Sequence, residues 1–443
     1  MKRTFVFLLL LSISAFALER QSNADYRARR EALAKKAQNG LILVFANTEE
    51  AAGDAVNGFR QANEFYYLTG LTDPGAAVLI APAINPSDPM YAQMPAEARP
   101  EARPYSEVLL LPAHSPQERW TGKRNGPGDP GLAERTGFAR VLALGELDEE
   151  ITRLAPRGTM LWVNQGKLAD APVEWLRRVT QVFPRDVRPL IGQLRAIKDA
   201  AEIELIRKAT RASMAAHAAA MKATKPGLNE HDIQSLMTYE FMKAGCERPA
   251  YAPIVGSGFD STVLHYSADS QPINDGDVVV MDVAGEFSMY ASDITRSLPA
   301  NGHFTARQRE IYNIVLAGQQ AAIDAFQAGK STLGGNGPDS LVKIVRDYFD
   351  THGKDKSGKP LGQYFIHGLG HGVGLEVHDP LDVSKPLEKG MVFTIEPGIY
   401  IPEENLGVRI EDLFWVDPNG KLVRLTEGLP RTAEEVEKAM AQK

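Results

Sequence analysis

Four carboxylates and one histidine in the C-terminal half of this chain are spaced as ligands would be. Asp282 closes the apolar run Val278-Val279-Val280-Met281, and Asp293 follows in Ala291-Ser292-Asp293-Ile294-Thr295-Arg296. If these stretches pair as a hairpin centred between Phe287 and Ser288, the two aspartates face each other, with Cβ atoms about 5 Å apart. Glu396 in Phe393-Thr394-Ile395-Glu396-Pro397-Gly398 and Glu411 in Val408-Arg409-Ile410-Glu411-Asp412 repeat the pattern about a centre between Glu403 and Glu404. Carboxylates that close repel one another, and a cation between them is the natural resolution. His371, inside His367-Gly368-Leu369-Gly370-His371-Gly372-Val373-Gly374-Leu375-Glu376-Val377-His378-Asp379, is the fifth candidate ligand. Four carboxylates balance two divalent cations, and a metal pair about 3.5–4 Å apart polarises a carbonyl and activates water together. That is chemistry suited to peptide-bond hydrolysis. Oxygen-rich ligands favour manganese, while the imidazole leaves zinc, cobalt and iron open. A lone strand aspartate or loop histidine is ordinarily structural; the joint pattern of two mirrored carboxylate pairs and a glycine-histidine segment argues for a site.

These segments resemble the pita-bread metallopeptidases, the superfamily of methionine aminopeptidase, prolidase, aminopeptidase P and creatinase. The resemblance covers residues 190 to 435 or so. It implies that Asp282 chelates one metal, that Asp293 and Glu411 bridge both, and that His371 and Glu396 hold the other. It also implies that Glu396 exchanges protons with water and the leaving amine. Leu264-His265-Tyr266, the flanking His367 and His378, and Arg409 two residues before Glu411 are similar to the proline-specific branch. His265, His378, Tyr400 and Arg409 are thereby implied in substrate binding, and Glu396, His265, His367, His378 and Arg409 in catalysis. His378 has a second reading, as a donor that orients a ligand. Gly370, Gly372 and Pro380 depart from the bulkier or different residues expected of relatives, which bears on pocket shape. Phe59-Arg60-Gln61 to Phe65-Tyr66-Tyr67-Leu68-Thr69-Gly70 looks like the N-terminal domain of aminopeptidase P and prolidase, and Leu194-Arg195-Ala196-Ile197-Lys198 with Glu202-Ile203 like its domain junction.

The expected activity is hydrolysis of the Xaa-Pro bond at the N-terminus of peptides whose second residue is proline. Proline offers no backbone N–H, so its ring must be recognised by shape. A prolidase restricted to dipeptides is the alternative, and would use Arg409 to hold the free proline carboxylate. A catalytically dead pita-bread binding module is the remote one, disfavoured because all five ligands are kept. Resemblance suggests a homo-oligomer, with Glu64 or Trp120 as candidates to reach a partner's site, although both also read as ordinary core and surface residues.

The supporting elements read as an α/β N-terminal domain, residues 18–190, and an α+β pita-bread catalytic domain, residues 191–443. Leu41–Phe45, Ala76–Ile80, Val108–Leu111 and Met160–Val163 are short apolar runs expected as buried strands. Helices are expected from about Asp199 to Met221, with Ile203, Ile206, Ala209 and Ser213 on one stripe, then after an Asn229 cap, and from about Ala306 to Gln327. The remainder is expected to be strand-rich, over Val278–Ala284, Tyr290–Leu298, Met391–Ile401 and Val408–Val416. Ahead of all this, Lys2 and Arg3, the apolar run Phe5–Leu11 and Ala15-Phe16-Ala17 form a signal peptide over residues 1–17, with Leu18 opening a periplasmic or secreted chain. No later stretch approaches a membrane span. The net charge of −7 argues against a nucleic-acid binder, which normally shows a basic face. Cys246, the single cysteine, cannot form an intrachain disulfide and reads as a small core residue.

Overall fold

The computed structural model describes residues 18–37, 40–49, 53–54, 58–95, 97, 99, 101–154, 160–164 and 184–442. The signal segment lies outside them. Strands β1 (Leu41–Phe45), β2 (Ala77–Ala81), β3 (Ser106–Leu111), β4 (Val141–Ala143), β5 (Leu161–Val163) and β6 (Arg185–Asp186) form one sheet in the order β4-β3-β2-β1-β5-β6. The sheet is mixed, with β1–β2 and β2–β3 antiparallel and β1–β5 parallel. Its apolar runs are continuous because both faces are covered. Ile42 and Val44 join the cluster beneath helices α1 (Asn23–Lys36) and α2 (Asn63–Thr69), whereas Leu41 and Leu43 pack with Ile151 and Leu154 of α3 (Leu147–Leu154).

Helix α4 (Arg188–Arg195) leads across to α5 (Ala200–Ala223), capped by the Asp199 side chain on the Glu202 amide. The expected stripe of α5 is buried throughout, and α6 (Glu230–Lys243) starts at the expected Asn229 cap. These helices lie against the strands that carry the acidic residues. Cys246 is buried beneath Gly285, and burial pushes its thiol up to about 12, as suits a core residue.

None of the four strand-rich stretches is one continuous strand. The first hairpin divides into β8 (Val278–Asp282) and β9 (Gly285–Phe287), returning as β10 (Tyr290–Ala291) and β11 (Thr295–Pro299), with β7 (Ile254–Ser257) on the other edge of β8. The second divides into β12 (Val392–Ile395) and β13 (Gly398–Ile401), returning as β14 (Leu406–Arg409) and β15 (Asp412–Val416). Asp282 ends its strand, and Asp293, Glu396 and Glu411 occupy the breaks. A residue at a break is released from the pleat, so its carboxyl can turn towards a common centre.

The two expected registers fare differently. Gly398 pairs with Arg409 and Ile395 with Asp412, so Glu396 stands opposite Glu411 as expected. In the first hairpin Asp282 pairs with Thr295 and Phe287 with Tyr290, which corrects the expected Asp282–Asp293 pairing. The turn is Ser288-Met289, both at positive φ (49° and 73°), the two-residue geometry that normally selects Asn or Gly. The Glu247 carboxylate accepts from the Ser288 amide at 2.8 Å and helps hold this turn. The correction shifts the pairing by two residues, which leaves both aspartates on one face as diagonal neighbours.

Gly407 of β14 lies against the turn leading to His265: a Cβ there would stand 1.9 Å from the Ser261 carbonyl oxygen. Replacing Gly407 with alanine is expected to cost about 2 kcal/mol or more through forced backbone movement. Thermal unfolding should show a clear drop in Tm, and an unchanged Tm would contradict this packing.

Candidate metal and substrate site

At the centre, ligand atoms of Asp293, His371 and Glu411 lie within 4.8 Å of one another. His371 Nε2 is 3.3 Å from Asp293 Oδ2 and 3.3 Å from Glu396 Oε1. Its Nδ1 faces the Gly372 carbonyl at 3.1 Å; with the proton there, Nε2 is turned to the carboxylates as a ligand. Thr394 donates to Glu396 Oε1 at 3.1 Å, and Thr295 to Glu411 Oε2 at 2.6 Å. Asp282 sits to one side: Tyr251 donates to Oδ1 at 2.6 Å and Arg409 Nη2 to Oδ2 at 2.7 Å. Arg409 Nη1 also donates to the Tyr400 hydroxyl at 3.0 Å, and that hydroxyl meets His367 Nε2 at 2.9 Å. The rings of His371 and His378 have centroids 4.1 Å apart. His265 and His378 are both exposed.

The electrostatics are those of crowded buried acids. Burial raises the Glu411 pKa well above the carboxylate range, and Asp293 and Glu396 raise it further. Burial likewise pushes Glu396 up to about 7, with His371 opposing and Asp293 adding. Asp293 is raised by burial and by Asp282 against the pull of His371. Burial alone would lower the His371 pKa, but the contact with Asp293 and the charge of Glu396 carry it to about 9. His367 is lowered to about 4 by burial and by Arg409, which keeps it neutral.

A metal fits this set. Glu411 Oε1 is buried without a hydrogen-bond partner, an arrangement that is costly unless a cation completes it. Oxygen donors with one imidazole suit a hard or borderline divalent ion. Tyr251, Thr295 and Thr394 escaped the sequence reading. Thr295 and Thr394 each stand two residues from a candidate ligand in a stretch read from sequence as one strand, a same-face signal that could have found them. Tyr251 lies 31 residues before Asp282 and had none. Glu64 stands 3.8 Å from Arg195 of its own chain, whereas Trp120 is 88% exposed. Gly370 and Gly372 have no room for a side chain, since a Cβ would stand 2.1 Å from the Thr394 carbonyl oxygen and 2.7 Å from that of Asp379.

The comparisons agree with this geometry. Residues 204–418 match metallopeptidase family M24, and residues 26–162 match the aminopeptidase P N-terminal domain. The chain is 32% identical to Xaa-Pro aminopeptidase of Escherichia coli over 95% of its own length and 98% of that protein. It is 30% identical to human Xaa-Pro aminopeptidase 3, over 94% and 85%. Proline aminopeptidase P II from Yersinia pestis superposes with a TM-score of 0.81 at 29% identity, covering 96% of this chain and all of that one. The chain belongs to metallopeptidase family M24, in its pita-bread, proline-specific branch. It is a metalloaminopeptidase.

The raised acids predict a pH effect on the metal-free protein. A carboxyl raised from 4.5 to about 7 adds stability below the lower value and loses it as pH rises through the upper. His371, raised from 6.5 to about 9, loses its contribution over that later window. The Tm of chelated protein should therefore fall between about pH 5 and pH 9, and divalent metal should restore most at the alkaline end. A gap between loaded and chelated Tm that stays constant with pH would count against the cluster as a metal site.

Proposed function

We propose that the chain is an exported Xaa-Pro aminopeptidase that holds two divalent ions, manganese first among them, and removes the residue preceding a proline. The observation that carries the substrate choice is the state of Arg409. Its side chain is 4% exposed and committed to Asp282 and Tyr400, so it is poorly placed to receive the free carboxylate of an Xaa-Pro dipeptide. The coverage of relatives supports the same choice. The Xaa-Pro dipeptidase of Pyrococcus furiosus matches 58% of this chain, against 95% for the E. coli aminopeptidase.

Asp282, Asp293, His371, Glu396 and Glu411 would hold the metals, which supply Lewis-acid polarisation of the scissile carbonyl and an acidified water. Glu396, oriented by Thr394, takes the proton of the attacking water and returns it to the proline nitrogen as that bond breaks. Arg409 holds Asp282 and Tyr400 in place. His265, His367 and His378 form the polar wall beside the proline ring, with His367 fixed by Tyr400.

Export rests on the basic start, apolar run and Ala15-Phe16-Ala17 of the N-terminus. The residues just after Ala17 are anchored: the Glu19 amide donates to Ser288 Oγ at 2.8 Å and Arg20 donates to the Gly70 and Thr69 carbonyls. A mature chain opening at Leu18 keeps those contacts. Among the described residues no helix is long and apolar enough to cross a membrane. A homo-oligomer, with the exposed Trp120 reaching a neighbour, is part of the same reading.

Xaa-Pro-Yaa peptides should be cut faster than Xaa-Pro, and proline-to-alanine peptides far more slowly. Glu396→Gln should lower kcat by about two orders of magnitude with little change in KM, as loss of a proton carrier does. A dipeptide preference that Arg409→Ala selectively erases would make the enzyme a prolidase. Expressed in a bacterium, the protein should carry an N-terminus near Leu18 outside the cytoplasm. Intact Met1 in the cytoplasm would refute export.

A further inference from the structure

The carboxylate next to His378 plays no part in the steps above, yet it is among the most enclosed charges in the molecule. The Asp379 side chain is 1% exposed, with Arg195 Nη2 at 2.5 Å from one oxygen and Lys198 Nζ at 3.0 Å from the other. Both cations are themselves buried and belong to the junction between the domains. A buried ion cluster is weak evidence for stability, because desolvation offsets the Coulomb gain. What this one does supply is position.

The Asp379 amide donates to the Gly372 carbonyl at 2.8 Å, and the two residues form a β-bridge. That bridge closes the loop between them, and His371, just outside it, meets His378, the last residue inside it, ring against ring. The loop is packed onto the cluster, since a Cβ on Gly374 would stand 2.6 Å from Asp379 Oδ2 and 3.0 Å from Lys198 Cε. The N-terminal domain grips the same loop, with Arg60 Nη2 donating to the Leu375 carbonyl at 2.6 Å and Asn63 to Glu376 at 2.5 Å.

We propose that Asp379, held by Arg195 and Lys198, is a positioning residue that sets His378 beside His371, so that the domain junction fixes where this substrate-facing imidazole stands. The proposal rests on the Xaa-Pro aminopeptidase reading of the site. Asp379 acts only through His378 and touches no substrate.

A double-mutant cycle on the full, metal-loaded enzyme tests it, with Asp379→Asn, His378→Ala and the pair assayed on an Xaa-Pro-Yaa tripeptide. Asp379→Asn alone should lower kcat about tenfold or more, with KM within about threefold and metal content per chain unchanged. On the His378→Ala background the same change should cost less than about twofold, because the group it positions is gone. An equal factor on both backgrounds, a wild-type kcat, or metal lost in proportion to activity would each overturn the inference. If Asp379→Asn does not fold, Lys198→Gln, which keeps the Arg195 contact, takes its place with the same outcomes. Wild-type enzyme that fails to cut the tripeptide would bring down the proline reading and this inference with it, whereas active enzyme with multiplicative losses brings down the inference alone.

Discussion

Asp293, Glu396 and Glu411 are brought together around one imidazole, in a setting where burial and mutual repulsion raise the pKa of all three. Water cannot reach these groups well enough to solvate their charges, so the protein must protonate them or neutralise them with cations. Much else in the catalytic half answers to that constraint. Each carboxylate stands at the end of a strand or in a break between strands, where a regular pleat would have sent neighbouring side chains to opposite faces. Thr295 and Thr394 each donate to one oxygen and leave the other side open to a ligand-seeking ion.

Asp282 is handled differently, and the contrast separates two kinds of charge compensation in one site. Its oxygens are engaged by Tyr251 and by Arg409, so it is the one carboxylate of the set already paired with a fixed cation. Arg409 then reaches on to Tyr400 and His367, which ties the metal side to the substrate side through side chains that are largely buried. An arginine so employed orients its neighbours more readily than it captures a substrate carboxylate. The preference for longer peptides that we propose rests on that employment rather than on the presence of the residue, which both activities would share.

The candidate ligand set was legible in the sequence because it repeats: two acidic hairpins, each acidic residue embedded in β-branched and apolar residues, and a glycine-histidine run. The second register could be counted from Glu403 and Glu404. The first could not, because its turn places Ser288 and Met289 at positive φ without the Asn or Gly that signals such a turn, supported instead by Glu247 from 41 residues away. The strand interruptions were invisible for a similar reason. Val278 to Ala284 is dominated by β-favouring valines, and tertiary contacts, such as the His217 imidazole on the Val283 carbonyl at 3.0 Å, mark where the ladder stops. Tyr251 shows the same limit, being placed by the fold with no local pattern around it. Four N-terminal strands with long buried apolar runs were easy to find, though the less buried β4 and β6 and the sheet's mixed direction were not.

The N-terminal domain is also more than an appendage to the catalytic half. One apolar cluster runs from Phe65 and Tyr66 of α2 to Tyr290 and Ala291 behind the first acidic hairpin, and on to Val373 and Leu375 of the histidine loop. Arg60 spans the same gap in polar form, paired with Glu286 at 2.8 Å and donating to the Leu375 carbonyl. Both hairpin and loop carry candidate ligands at their inner ends, so the domain braces the candidate metal site from behind without entering it. Packing of this density passes a displacement on rather than absorbing it. A ligand geometry assembled from strand breaks and a glycine-rich loop has little stiffness of its own; the rigid sheet domain held against its outer side supplies it.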